Sequence, residues 1–479
     1  MNSLQTSSRL AEAYDVDSFR KLGHQVVDMI ADQLEESISQ KDPVVLPYQK
    51  PEDELKFWES DKEQGSDPLE FFQKVLDHSI KVHQPRYLGH QVAVPALISS
   101  LAGFLTDISS NGTGVYEMGM ASNAIERIMI EFLARKIGYS RESAGFLTSG
   151  GSLANLTALL AARNAKADTN VWEEGHSSKL AVLVSEEAHY CIDRAARILG
   201  LGSEGIIKVP IDENFKIRTD LLDKYLLTAQ EKGYTVIALI GCASSTATGS
   251  YDDLESMGAF AKRNNLWFHV DGAHGGSVVV SKKYRHLAKG IEQADSVVID
   301  FHKMMMTPSL NTALIFQRGA DSYKTFQQKA QYLWDSQQSP EWYHSGKRSF
   351  ECTKLMMSIK PYIILRTYGE EIFEENIDRC FYLARSFAAL IRERESFELA
   401  IEPEANIVNF RFVANTHADL NELNASLRLS LMEKGEFYIV QTSIGGTKYL
   451  RTALMNPLTQ ESDLVALLDE IEALALTEY

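Results

Sequence analysis

The sequence predicts an α/β protein: a large domain on a mostly parallel central sheet, a helical segment before it and a small α+β domain after it. Three observations predict this. From about residue 145, short runs rich in Val, Ile and Leu alternate with helix-length amphipathic stretches, the pattern of a parallel sheet covered on both faces. Residues 15–38 carry apolar side chains at helical spacing, and from about 360 onward helical patterns return with a few short strands between them. A chain of 479 residues also far exceeds the roughly 150 of an ordinary domain. The expected division is 1–85 for an N-terminal helical segment, 86–360 for the large domain and 361–479 for the small one.

In chain order, Phe19, Leu22, Val26, Val27, Ile30 and Leu34 form one face of an amphipathic helix. The charged, proline-bearing stretch 42–68 reads as a connector. "VAVPALISSLAGFL" is the most apolar run, but Pro95 and two serines interrupt it. It also falls short of the roughly 20 residues that cross a bilayer, so it reads as a buried helix. "LAVLVSEEAH", "TVIALIGCAS", "LWFHVDGAH", "SVVIDFHK" and "TALIFQR" read as strands. In "SYDDLESMGAFAKRNN" the spacing of Ser250 and Asp253 reads as a capping box opening a crossover helix. Residues 166–179 and 318–349 read as long loops, a length often tied to function.

Charge excludes some classes of function. With 48 Lys+Arg against 65 Asp+Glu, the net charge of −17 argues against a general grip on nucleic acid or an anionic membrane. An anionic ligand then needs a locally built pocket. The start "MNSLQTSSRL" lacks the basic and apolar regions of a secretory signal, which points to the cytoplasm. Cys191, Cys242, Cys352 and Cys380 are scattered and form no C-x-x-C pair, so they read as reduced core thiols without a disulfide framework or a metal site.

The chemistry begins at "SVVIDFHKMMM", an apolar run ending in Asp300, His302 and Lys303. Burying an unpaired ammonium is costly, so a lysine there calls for a purpose. Ligands of parallel sheets collect at the carboxyl ends of strands, where His189, Thr246, Asp271 and Lys303 also fall. A lysine in such a crevice suits Schiff-base attachment of an aldehyde cofactor, pyridoxal 5'-phosphate, whose ring nitrogen needs an acidic partner. Asp271 is that partner by position. "TSGGSLANLTALLAAR" supplies a phosphate cradle: Gly150 and Gly151 let backbone N–H groups approach, a helix N-terminus follows, and Ser149, Ser152 and His302 add polar contacts.

"FLTSGGSLANLTALLAAR", "SEEAHYCIDRAA", "LWFHVDGAHGG" and "DFHKMM" together resemble the group II pyridoxal-phosphate-dependent amino-acid decarboxylases, relatives of the glutamate, aromatic-amino-acid and diaminobutyrate enzymes. The likeness runs in order from about residue 83 to about 457. It implies fold type I, the aspartate-aminotransferase architecture, in a homodimer. It implies that Lys303 carries the Schiff base, Asp271 meets the pyridine nitrogen, His189 stacks on the ring and Ala273 packs on the other face. Thr246 then lies near the cofactor, and Gly151, Ser152 and His302 near its phosphate. Tyr332, in "AQYLWD", matches a mobile-loop tyrosine that donates a proton, with Tyr343 its rival. Arg451, in "LRTALMNP", matches an arginine that holds the substrate carboxylate, although pairing with an acidic neighbour is an equal reading.

The departures concern the substrate. Asp300-Phe301 replaces the usual Asn-Pro before His-Lys, as in the diaminobutyrate branch; Leu153 stands for a glutamate, Cys191 for a serine, and Ser349 for a second basic residue. The expected reaction is α-decarboxylation of an L-amino acid to an amine and CO2, with a diamino acid such as 2,4-diaminobutyrate, an acidic or an aromatic amino acid as substrate. An aldehyde synthase or aminotransferase on the same fold is the second reading. A nucleotide-binding α/β module or a catalytically silent pyridoxal-phosphate-binding protein is the third, and for the nucleotide reading the chain lacks G-x-x-x-x-G-K-[ST] and G-x-G-x-x-G.

Overall fold

The computed structural model describes residues 7–62, 67–175, 178–326, 341–413 and 419–478. Its large sheet has seven strands: β1 (Ala144–Thr148), β2 (Lys179–Ser185), β3 (Ile206–Val209), β4 (Tyr234–Cys242), β5 (Trp267–Asp271), β6 (Ser296–Asp300) and β7 (Thr312–Phe316). The order is β1-β7-β6-β5-β4-β2-β3. All neighbours are parallel except β7, which runs against both β1 and β6. The five runs read as strands are β2, β4, β5, β6 and β7; β1 and β3 are additional, and β3 is too short at four residues to stand out.

Alternation along these strands feeds two cores, because successive side chains point to opposite faces. Ala181, Leu183, Leu239, Phe268, Val297 and Ile299 join one cluster, whereas Val182, Val184, Ile240, Trp267 and Val298 join the other. Helix Gly151–Lys166 lies across β4 to β7 on the second face. Helices Tyr116–Ile137 and Leu254–Arg263 belong to the first.

A smaller antiparallel sheet follows: β8 (Phe397–Leu399), β9 (Ile407–Phe412), β10 (Val440–Ile444) and β11 (Thr447–Ala453), in the order β10-β11-β9-β8. It shares its own apolar core with helices Glu371–Arg392, Leu420–Lys434 and Glu461–Glu478. Leu88 enters that core too, beside the bridge from Tyr87 to Tyr438.

Three expectations need correction. The apolar run at 92–105 forms helix Leu97–Ser109, but it is not buried: small Ser99, Ala102 and Thr106 face inward while Leu101, Phe104 and Leu105 stay more than half exposed. Its inward face packs on helix Ile359–Tyr368, where Ser99 Oγ donates to the Lys360 carbonyl at 2.9 Å. The crossover helix Leu254–Arg263 is capped by Asp253, whose carboxylate accepts from the Ser256 amide at 3.1 Å. Ser250 is instead buried in the preceding turn against Thr248. Cys352 is exposed, while Cys191, Cys242 and Cys380 are buried. Among the described residues no helix is long and apolar enough to cross a membrane.

Candidate active site

Register brings the reactive residues to one edge. Thr312 opens antiparallel β7 and pairs with Thr148 at the end of β1 and with Asp300 at the end of β6. The Gly150-Gly151 turn after β1 and Lys303 after β6 therefore flank the same strand end. Asp271 closes β5, and the segment after β4 carries Thr246. Between them lies a cavity of about 300 Å³. Gly150, Gly151, Ser152 and His302 line it on the turn side, and His189, Thr246, Asp271, Ala273 and Lys303 on the strand side.

Local geometry makes these groups available. Gly150 has φ +117°, a conformation that suits glycine, and caps helix Gly151–Lys166 without any side-chain hydrogen bond. The first N–H groups of that helix are thus left for an anion. A Cβ on Gly151 would meet Asp300 Oδ1 at 3.4 Å and the Ala273 Cβ at 3.5 Å.

Lys303 Nζ lies 3.0 Å from Asp300 Oδ2, which answers the cost of a half-buried ammonium. Burial alone would raise the Asp300 carboxyl, but Lys303, His302 and the hydroxyl of Thr312, which donates to it at 2.5 Å, hold it below the usual carboxylate value. Asp271 makes no ion pair among the described residues; its Oδ1 accepts from the Ala273 amide at 3.2 Å and its Oδ2 from Asn155 Nδ2 at 3.1 Å. Among the described residues its side-chain oxygens are met by these two N–H dipoles. His189 caps helix Tyr190–Ile198, Nδ1 accepting from the Cys191 amide at 3.3 Å. Burial lowers its pKa, assisted by Lys303 against Asp271 and Asp300, so the ring is neutral at pH 7.

Two buried polar atoms on cavity-lining residues, Ser244 Oγ and His274 Nδ1, have no hydrogen-bond partner among the described residues. Burial, with Lys303 adding to it, pushes His274 down to about 3, and its Nε2 lies 2.7 Å from Asn406 Oδ1. Unfilled N–H groups, an amine, a carboxylate without a cation and two open polar atoms make a set that fits a phosphorylated pyridine aldehyde.

Arg451 is not among the cavity-lining residues. Its guanidinium donates to the carbonyls of Thr246 at 2.6 Å and Ala247 at 3.2 Å and to Gln91 Oε1 at 3.0 Å, and among the described residues it makes no ion pair. Burial brings it down to about 10. It stands one residue behind the wall, since Thr246 and Gln91 do line the cavity. Tyr343 is also absent from the wall and packs edge-on against Tyr116, with centroids 5.5 Å apart. Tyr332 lies outside the described residues.

Sequence reasoning missed Gln91, Asn155, Ser244 and His274, all on the wall. Asn155 was within reach, because it sits four positions after Gly151 and so shares its helix face. His274, three positions after Asp271, carried no periodic signal.

The family model described as "Pyridoxal-dependent decarboxylase conserved domain" matches residues 50–413. An aromatic-L-amino-acid decarboxylase of Bacillus atrophaeus is 27% identical over 471 residues, covering 96% of both chains. An L-2,4-diaminobutyrate decarboxylase of Acinetobacter baumannii is 27% identical, covering 83% of this chain and 81% of its own. Among solved structures, that of mouse CSAD superposes with a TM-score of 0.89 at 24% identity, covering 96% of this chain and 99% of that one.

Proposed function

The chain belongs to the pyridoxal-dependent decarboxylase family, and from that premise we propose that the cavity beside Lys303 and Asp271 is where its reaction takes place. The protein is a pyridoxal-phosphate-dependent amino-acid carboxy-lyase of fold type I. The observation that carries the site is the pairing, on one wall, of an amine held by Asp300 with a carboxylate that has no ion-pair partner among the described residues.

Bound pyridoxal phosphate supplies an electron sink for the pair of electrons left when CO2 departs. The chain does the rest. Lys303 Nζ would hold the cofactor through its aldehyde. The N–H groups after Gly150, with Ser152 and His302, hold the phosphate. Asp271 would keep a proton at the ring nitrogen, and His189 and Ala273, which line the same wall, would hold the ring. Thr246 and Gln91, braced by Arg451, line the approach and would orient the substrate's Cα–carboxylate bond, and that orientation decides which bond breaks. Tyr332 delivers the proton to Cα and closes the turnover to an amine.

For the substrate, a diamino acid such as 2,4-diaminobutyrate is favoured. Asp271 and Asp300 line the cavity, and three Arg451 hydrogen bonds are spent on Thr246, Ala247 and Gln91, leaving that cation poorly placed for an acidic side chain. The experiment is a panel of amino acids read by CO2 release and amine identification. Turnover of 2,4-diaminobutyrate above acidic and aromatic amino acids is expected; preference for glutamate or aspartate overturns the substrate, and carbonyl products without amine overturn simple decarboxylation.

The assembly proposed is a homodimer in the cytoplasm, with the division 1–85, 86–360 and 361–479. The exposed apolar face of helix Leu97–Ser109 supports the dimer, and the separate core of the small sheet supports the third unit.

A further inference from the structure

Behind Asp271 the structure holds a buried chain of polar groups that no part of the reaction has yet used. Trp267 Nε1 donates to Ser296 Oγ at 2.9 Å. His269 Nδ1 lies 2.8 Å from Ser296 Oγ and 3.2 Å from the Ser296 carbonyl oxygen, His269 Nε2 lies 2.8 Å from Asn155 Oδ1, and Asn155 Nδ2 donates to Asp271 Oδ2 at 3.1 Å. Trp267, His269 and Ser296 are fully buried and Asn155 is 1% exposed, so no water sets their hydrogens.

The direction of every hydrogen follows from the two ends. An indole N–H can only donate, and an ionised carboxylate can only accept. Asn155 must turn its NH2 toward Asp271, where the second N–H meets Cys191 Sγ at 3.3 Å, and its carbonyl oxygen toward His269. That oxygen requires a proton on His269 Nε2. A neutral His269 then has a lone pair on Nδ1, which takes the Ser296 hydroxyl hydrogen, and Ser296 Oγ is left to accept from Trp267. Burial, the dominant influence, brings His269 down to about 4, so the neutral tautomer holds at working pH. Each donor in the chain points toward Asp271, and cooperative polarisation of such a chain strengthens the last bond.

We infer that His269 is a positioning residue of the decarboxylase: through Asn155 it holds an amide N–H on Asp271, which keeps that carboxylate aimed at the cofactor's ring nitrogen. The inference rests on the reading of Asp271 as the ring-nitrogen partner. His269 touches neither cofactor nor substrate; its effect passes through the Asn155 amide. Without it Asn155 is free to rotate and present its oxygen to Asp271, two acceptors facing each other.

The test is the 15N shift of ring-labelled pyridoxal phosphate bound to purified holoenzyme, read beside kcat and KM. His269→Leu should move the ring nitrogen from the pyridinium toward the free-pyridine position and lower kcat about ten- to a hundredfold, the scale of outer hydrogen-bond partners, with KM little changed. His269→Gln, whose amide can donate to Asn155 and accept from Ser296, should restore most of both. If His269→Leu does not fold, Ser296→Ala serves, with a smaller shift in the same direction. A ring nitrogen that stays fully protonated in folded His269→Leu, or in Ser296→Ala where that is the variant that folds, overturns the inference. Asp271→Asn separates the two claims: a pyridinium signal retained there sinks the reading of Asp271 itself, while a signal lost there but kept in the His269 variant sinks the relay alone.

Discussion

Lys303 shows how one residue's placement fixes what it can do. Its ammonium lies in the cavity wall, held by a carboxylate that is itself 2% exposed and bonded by Thr312. Replacing it with alanine removes the amine and leaves Asp300 a buried charge held by His302 and Thr312 alone, a change of up to about 3–5 kcal/mol when one partner of a buried pair is lost. Lys303→Ala should therefore have no measurable turnover and no imine absorbance with added cofactor, and should melt at lower temperature. Asp271→Asn should fold and hold the cofactor, yet lose about two to three orders of magnitude in rate, as when a preorganised electrostatic group is removed. Steady-state kinetics on the cofactor-loaded variant decides it. Tyr332→Phe should leave cofactor binding and CO2 release largely intact but divert product from amine to carbonyl, because its proton is needed after the carboxyl has left. Tyr343→Phe, altering a ring packed on Tyr116 away from the wall, should leave the amine yield unchanged; loss of amine only in Tyr343→Phe moves the acid role there.

At the scale of elements, helix Leu97–Ser109 carries the clearest consequence. Leu97, Leu101, Phe104, Leu105 and Ile108 are all exposed, and Phe19 from helix Val16–Ile38 stacks on Phe104 with centroids 6.3 Å apart. Contiguous apolar surface of this kind marks an interaction face, and burying each large side chain is worth about 1.5–3 kcal/mol. A second copy of the chain is the occupant the proposed homodimer requires. Leu101→Asp with Phe104→Asp should convert a dimer into monomers by sedimentation equilibrium while leaving the far-ultraviolet spectrum intact. A wild-type chain that sediments as a monomer, or a double variant that stays dimeric, rejects this face.

The whole molecule is a sheet with a core on each side, and that burial gives it a pH dependence. His269 and His274 are both fully enclosed and lowered to about 4 and about 3. An unfolded histidine binds its proton near 6.5, so between pH 6.5 and those values the unfolded chain binds more protons and stability falls as pH falls. The loss is on the order of 3 to 5 kcal/mol for each group at about 1.4 kcal/mol per unit. Asp252, buried and raised to about 6, runs the other way: it is protonated in the fold before it is protonated in the open chain, which favours folding as pH drops from 6 to 3.8. Two groups outweigh one. Urea midpoints should drop between pH 6.5 and 4, and His274→Gln, keeping a donor for Asn406, should flatten the slope by roughly one proton, about 1.4 kcal/mol per pH unit. A slope that His274→Gln leaves unchanged would show that the ring is not buried neutral.

Local sequence was enough for whatever depends on near neighbours. The strand runs, the glycine turn before a helix, the end of β5 at Asp271 and the place of Lys303 just past β6 all follow from hydrophobic alternation and the steric freedom of glycine. So did the α/β class, since period 2 and period 3.6 are written into the chain. What depended on distant residues meeting was decided by the tertiary structure. The reversed β7 that lies between Thr148 and Asp300, the outward face of helix Leu97–Ser109, and the position of Arg451 behind Thr246 depend on contacts more than a hundred residues apart in sequence. The donor chain from Trp267 to Asp271 belongs here as well. Its four side chains before the carboxylate are unremarkable in sequence and gain meaning only when burial removes water and leaves each hydrogen one place to go.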